Sequence, residues 1–413
     1  MAKHVELPDT NQSVWQLSAI QLSGWTSLPI LATSILVLEQ NSFYGAILTI
    51  IVGNAIAWFI RLAIIMMSYE KRQSTLDIAK VYLGNMGGYF IGAFLLISTL
   101  AWFIAQTTAA SKTLTHLLLI EENPSIDKFT QISVFVGIVS TFLCMEGVTL
   151  LKKLASFVFP FLIAAFIAVI FIIPFKLPEI TTAGLSLAGL TLVLITNLGI
   201  TSDLPTFFRH SKSLHTSIKA LTVIQLVSLA IALLGLYLGS IITGAFEINE
   251  ALVLGTSSEV LRLSLIIFIF LSVICANVAN VYSASVGWEV IAPKALLGRK
   301  EYLILGLGLT TIFILVSNLF SIEFLLNSSD SSLVNLCIIL IIGYMLSKAR
   351  KSEPSRFEQV GYFTAWFVST TLNILQFSEI LPIHISPIAT SLASILIILS
   401  LFFLTKRCIT KRV

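Results

Sequence analysis

Charge is scarce in this chain. Only 11% of its 413 residues are Asp, Glu, Lys or Arg, against about 25% in soluble domains, while 56% are hydrophobic. That balance excludes a water-soluble globule. It leaves a lipid-embedded helical bundle, in which each span needs about 20 mostly apolar residues. Cysteine is sparse too. Cys144, Cys275 and Cys337 lie in apolar stretches and Cys408 in a basic tail. They show no CxxC spacing and no Cys/His cluster, which argues against a disulfide framework or a zinc site. Glycine-rich phosphate loops of the GxGxxG and Walker types are missing, so ATP-driven work by this chain has no support. The histidines fall at span ends or loops, and no nucleophile sits with a base. An enzyme is therefore not expected, nor a cofactor or a nucleic-acid partner.

What is present is a series of long apolar segments. Twelve spans are read, at roughly 14–38, 43–67, 86–114, 129–148, 150–175, 184–206, 217–243, 259–287, 302–320, 323–347, 358–377 and 387–405. Residues 1–13 read as a polar tail without a cleavable leader, and 406–413 as a basic tail. Lys and Arg alternate between the two sides of this array. One side collects Lys71, Arg72, Lys152, Lys153, Arg209 and Lys212, then Lys294, Lys348, Arg350 and the tail. The other side is acidic, with Glu121, Glu122, Asp127, Glu247 and Glu250. This bias predicts an even number of spans in a plasma or bacterial inner membrane, with both termini cytoplasmic. The stretch Ser68–Gly84 reads either as an amphipathic segment on the inner membrane face or as a plain connector. Arg209–Lys219 reads as a second surface helix or a connector.

Two segments share a phrase. Gly24-Trp25-Thr26-Ser27-Leu28-Pro29 lies in the first span and Gly199-Ile200-Thr201-Ser202-Asp203-Leu204-Pro205 in the sixth. Gly and Pro weaken a helix, and lipid tolerates loosened backbone only where protein encloses it. Paired broken helices at matching places predict the binding site of a secondary transporter built as an inverted repeat. The repeats would be 14–175 and 184–347, with 358–405 as accessory spans.

The polar residues inside the spans are the candidate site, because burying them is costly. Trp102 and Gln106, four apart in span three, share a helix face. An indole plane beside an amide suits a flat heterocycle, stacked on the ring and read at its edge. In span eight, Asn277, Asn280 and Ser283 fall on one small, polar face. Trp25 at the first break, and Asn197 and Gly199 at the second, would line the same pocket. Freed carbonyls at the breaks suit a cation. Asp203 and Asp330 are gate or proton-sensitive candidates. The run Asn327–Ser332 around Asp330 is either an outer gate or a solvated loop before a later-starting span. Arg61, Glu146 and Glu289 sit near inner span ends, where snorkelling would suffice.

At these residues the chain resembles the nucleobase–cation symporter family of cytosine, hydantoin and allantoin transporters. The likeness rests on Ile51-Val52-Gly53-Asn54, on Trp102 with Gln106, and on Thr201-Ser202-Asp203 followed by Phe207–Arg209. Asn280 and Gly343-Tyr344-Met345-Leu346 before Lys348 add to it. The resemblance implies an all-α LeuT-like membrane fold of five-plus-five inverted repeats with two accessory helices. It implies a substrate site between spans one, three, six and eight, and a sodium site near Ser23–Ser27 and span eight, with Ser23, Thr26, Asn277 and Asn280 as candidate ligands. The chain departs from the family pattern where a hydroxyl pair becomes Ala276 and Asn277 and a span-ten Asp becomes Gly343, which leaves sodium and proton open as coupling ions. The expectation is a monomeric, cation-coupled importer of a small nucleobase-like heterocycle. An amino acid or amine permease of the same fold, and a non-transporting membrane sensor, are the alternatives.

Overall fold

The computed structural model describes residues 12–25, 28–119, 126–144, 148–172, 184–241, 259–291, 304, 306, 308, 312, 322–381 and 385–410. The described residues form helices joined by short turns. In chain order they are α1 Val14–Trp25, α2 Leu28–Glu39, α3 Phe43–Lys71, α4 Thr75–Leu119, α5 Ile126–Cys144 and α6 Val148–Ile172. There follow α7 Leu187–Thr201, α8 Leu204–Phe208, α9 Leu214–Ile241, α10 Glu259–Ile291, α11 Ile322–Arg350, α12 Arg356–Phe377 and α13 Pro387–Thr410. Among the described residues, seven helical stretches are long and apolar enough to cross a membrane. The sixth span arrives as two helices, α7 and α8; α1 and α2 of the first span flank residues 26–27, which lie outside the described residues. The ninth span lies almost wholly outside the described residues.

Caps and turns fix the ends. The Ser42 hydroxyl accepts from the Gly45 amide at the start of α3, and Arg72 closes that helix in a left-handed conformation. Ser355 and Glu358 form a reciprocal capping box at the start of α12. Hydroxyls inside the spans bond back to their own helix, as Ser140 and Thr141 do to the Val136 and Gly137 carbonyls. Such residues therefore cost little in lipid.

One end of the bundle is laced by ion pairs. Lys348 meets Glu70 at 2.7 Å and Lys71 meets Glu353 at 3.0 Å, while Glu358 takes both Arg350 and Lys406. These pairs tie α3, α11, α12 and α13 together at the end where sequence places the basic residues.

The amphipathic segment departs from its expected place on the membrane face. It is the first two turns of α4, and its apolar side is covered by protein. Leu76, Ile78 and Ala79 are fully buried, Gln359 of α12 donates to the Val81 carbonyl at 3.0 Å, and the rings of Tyr82 and Tyr362 meet edge to face. Gly84, at φ 74° and ψ 176°, then redirects the chain into the third span. That backbone region belongs almost entirely to glycine. Arg209–Lys219 is also not a surface helix. The chain turns through residues 209–213 and enters α9 at Leu214. Span ten begins at Ile322, so Asn327–Ser332 is helix, not loop, and Asp330 is only 3% exposed.

Candidate functional site

A cavity of about 90 Å³ opens where α1, α4, α10 and α11 surround the junction of α7 and α8. A single water needs about 10–15 Å³ by the same measure, so the space takes a small molecule or several waters. The α4 wall is a stripe of Ser98, Thr99, Trp102 and Gln106, which the three-to-four spacing of a helix puts on one face. The α10 wall is Ala276, Ala279, Asn280 and Ser283, spaced in the same way. Gly199, Ser202 and Asp203 come from the broken sixth span.

The polar groups of the walls bond to one another. Asn280 donates to the Gln106 side-chain oxygen at 3.1 Å, and Ser283 donates to Asp203 Oδ2. Asp203 holds the N-cap position of α8 but makes no capping bond. Its Oδ1 is buried without a hydrogen-bond partner. Trp102 stands in the wall with its indole N–H directed to Asp330, 3.0 Å from Oδ1 and 3.2 Å from Oδ2. Ser98 donates to the same Oδ1 at 3.2 Å. Asp330 itself lies one layer behind the cavity.

Gly199 explains how Asp330 fits there. A Cβ built on Gly199 would lie 2.7 Å from Asp330 Cγ. Only a residue without a side chain lets the carboxylate reach the backbone of α7.

Three solved structures that share this architecture are transporters. The chain is similar to Mhp1, a nucleobase-cation-symport-1 family transporter seen closed with bromovinylhydantoin bound, at 16% identity and TM-score 0.72, covering 98% of this chain and 94% of that one. It is similar to the manganese transporter of Eremococcus coleocola, at 14% identity and TM-score 0.62, covering 99% of each chain. A Na+-coupled sialic acid symporter matches at 10% identity and TM-score 0.62, covering 90% of each. The fold is LeuT-like. No family model matches the sequence, and no curated protein matches it.

Within this LeuT-like fold the sequence-derived residues separate into groups. Trp102, Gln106, Gly199, Asp203 and Asn280 line one cavity. Asn197 does not join them. It faces a second cavity of about 30 Å³ with Asn54, Arg61, Thr196 and Ser228, and its amide bonds back to the Val193 carbonyl at 2.8 Å. Its position two residues before Gly199 turns it about 200° away from the first cavity. Asn277 also points elsewhere. It is fully buried and donates to Thr107 at 2.9 Å. Asn277 and Asn280 thus form two successive rungs that join α10 to α4, and only Asn280 reaches the cavity. Thr26 and the side chains of Ser23 and Trp25 lie outside the described residues, as do Glu146 and the Glu289 side chain.

Arg61 overturns the snorkelling expectation. It is fully buried, and its guanidinium donates to Thr201 Oγ1 at 2.9 Å, to Gln225 Oε1 at 2.5 Å and to the Asn197 carbonyl at 2.5 Å. Gln225 in turn donates to Asn54 at 2.6 Å. The cost of burying a charge is offset only by such bonding. Arg61 was misjudged because its distance from the end of α3 said nothing about what surrounds it. Ser98 and Gln21, also in the cavity wall, were legible in principle. Ser98 lies four residues before Trp102, and Gln21 is an amide in mid-span.

Proposed function

We propose that this protein is a cation-coupled secondary transporter of a flat nitrogen heterocycle of the nucleobase or hydantoin class, importing it by alternating access. The convergence of Trp102, Gln106 and Asn280 on one cavity beside the broken sixth span carries the reading. The indole offers a face for stacking, and the two amides offer a donor and an acceptor for a ring edge. The neighbouring unwound backbone supplies further polar groups. A fold shared with a transporter that holds bromovinylhydantoin supports it. The residues would work within two five-span repeats, 14–175 and 184–347, in a plasma or bacterial inner membrane with both termini inside. Sodium or a proton would drive accumulation.

A second reading is kept for one observation. Asp203 lines the same space and its buried Oδ1 has no hydrogen-bond partner, and a carboxylate there suits an amine. An amine or amino acid permease would use it.

The test is a thermal-shift screen of purified protein against cytosine, uracil, hypoxanthine, allantoin, 5-benzylhydantoin, amino acids and simple amines, each in sodium and in choline. A ligand that binds only the folded state raises its stability by mass action. Stabilisation by a heterocycle supports the first reading, and stabilisation by amines or amino acids alone replaces it with the second. If none of these compounds stabilises the protein, both readings fail.

A further inference from the structure

The last turn of α7 is held on both sides by buried charges. Arg61 of α3 grips the Asn197 carbonyl and the Thr201 hydroxyl. These residues are four apart and therefore share a helix face. Gly199, two residues from each, lies about 200° round the helix, and Asp330 of α11 packs against it there. A guanidinium and a carboxylate, both removed from solvent, thus face each other through one helical turn. That turn leads directly into the break at Ser202 and Asp203.

Asp330 is also joined to the cavity. Its carboxylate accepts from the Trp102 indole and the Ser98 hydroxyl, and both donors belong to residues of the cavity wall. Ser98 can pass a proton inward, because a hydroxyl donates and accepts at once. The elements packed on α11 are α3, α4, α7, α12 and α13. From α4 the facing groups are the neutral Ser98 and Trp102. From α12 they are neutral too, with Asn373 bonding Ser331 beside Asp330. The charges of α3, α12 and α13 that pair near Lys348 lie about 27 Å along α11. The charged groups that remain around this turn of α7 among the described residues are Arg61, on its opposite face, and Asp203, in the wall of the cavity that Asp330 stands behind. Cys337 lies two turns further along α11 on the Asp330 face.

We propose that Asp330 is the coupling-ion site and that the ion is a proton. This rests on the transport reading and names its driving ion. The carboxylate takes a proton from water in the open cavity through Ser98, becomes a neutral acid, and returns the proton to water on the other side. No other bond is made or broken, and no electrons change hands. Protonation turns a charge-assisted bond to the Trp102 N–H into a neutral one, roughly half as strong. It also removes the charge opposing Arg61 across α7. A substrate stacked on Trp102 and a proton on Asp330 then act on the same ring and the same helical turn. Two ligands that bias one element toward the same state raise each other's affinity by the same factor.

The experiment has two arms, both in proteoliposomes. The first needs no substrate. Infrared difference spectra across a pH titration should show a carboxylic-acid carbonyl band that is present in wild type and in D203N and missing in D330N. Ser98→Ala, which removes one donor, should move the midpoint of that band, so the assignment survives if D330N does not fold. A band that persists in D330N and is unmoved in S98A overturns the proposal. So does the lack of any titrating band in wild type. The second arm compares uptake of cytosine and 5-benzylhydantoin under an inward proton gradient with their equilibrium exchange. D330N should lose gradient-driven accumulation by about 5- to 150-fold more than it loses exchange, the usual span of a coupling. Equal loss in both marks Asp330 as structural and overturns its coupling role. If wild type moves neither compound while the band titrates, it is the heterocycle reading that fails, and proton binding at Asp330 stands on the first arm.

Discussion

The Asn280 amide donates to the Gln106 side-chain oxygen at 3.1 Å across the wall of the larger cavity, one turn of α10 away from an equivalent rung that misses it, Asn277 to Thr107 at 2.9 Å. The pair gives an internal control. Asn280→Ala should weaken heterocycle binding while changing the melting temperature little. Asn277→Ala should lower stability by about 1–3 kcal/mol, since it strands a buried hydroxyl, and leave affinity unchanged. Isothermal titration and thermal unfolding on both variants check this, and affinity lost only in the Asn277 variant would reverse the assignment.

Trp102 bonds Asp330 and is proposed to stack on substrate, and substitution separates the two. Trp102→Ala removes the ring and should cost about 1–3 kcal/mol of heterocycle binding, as base–aromatic stacking does. Trp102→Phe keeps a stacking face and loses only the bond to Asp330, so its affinity should fall between alanine and wild type. Dissociation constants for the three proteins decide, and indistinguishable values would remove Trp102 from the site.

At Gly199 the expected defect is steric. A methyl group 2.7 Å from Asp330 Cγ forces the two helices apart, and overpacking of this kind costs about 1–3 kcal/mol. Gly199→Ala should therefore melt lower than wild type, and the second change Asp330→Ser should restore part of the loss. Non-additivity in the double-mutant cycle is the measurement. Strict additivity would mean the two positions do not touch.

Arg61 should tolerate no replacement. Removing one member of a buried, bonded charge network costs about 3–5 kcal/mol, so Arg61→Met should fold poorly or melt much lower. Arg61→Lys should be nearly as harmful, because one ammonium on a flexible stem cannot reproduce a planar fork reaching three acceptors. Monodispersity on size-exclusion chromatography and melting temperature report this, and a lysine variant as stable as wild type would contradict it.

The fold was legible in the sequence because lipid imposes length and hydropathy on every span, and the paired breaks stand out against that background. The site was legible in part. Trp102, Gln106 and Asn280 could be grouped because each is a strong polar or aromatic group placed by helical spacing. Asn197 and Asn277 went to the wrong side of their helices. A rotation of one or two residues decides which neighbour an amide meets, and spacing along one helix cannot reveal the packing of the next. From sequence Arg61 is judged by its distance from a span end, and Asp330 reads as a gate or proton-sensitive residue with a solvated loop as the alternative; α7, remote in sequence from both, helps to bury them. The stretch Ser68–Gly84 reads only as an amphipathic surface segment or a connector, because the elements that cover its apolar side, α12 among them, lie far along the chain.

The grip of Arg61 on Asn197, Thr201 and Gln225 also has a kinetic meaning. It binds α3, α7 and α9 into one unit, so in the proposed transport cycle rocking would slip along the seam that this unit shares with α4, α10 and α11. At Gly199 that seam is a bare touch between backbone and carboxylate. At Asp203 it is a hydrogen bond from Ser283, worth about 1.5–3 kcal/mol when one member is charged. If the protein transports as proposed, substitutions at Ser283 would change turnover speed through that one bond.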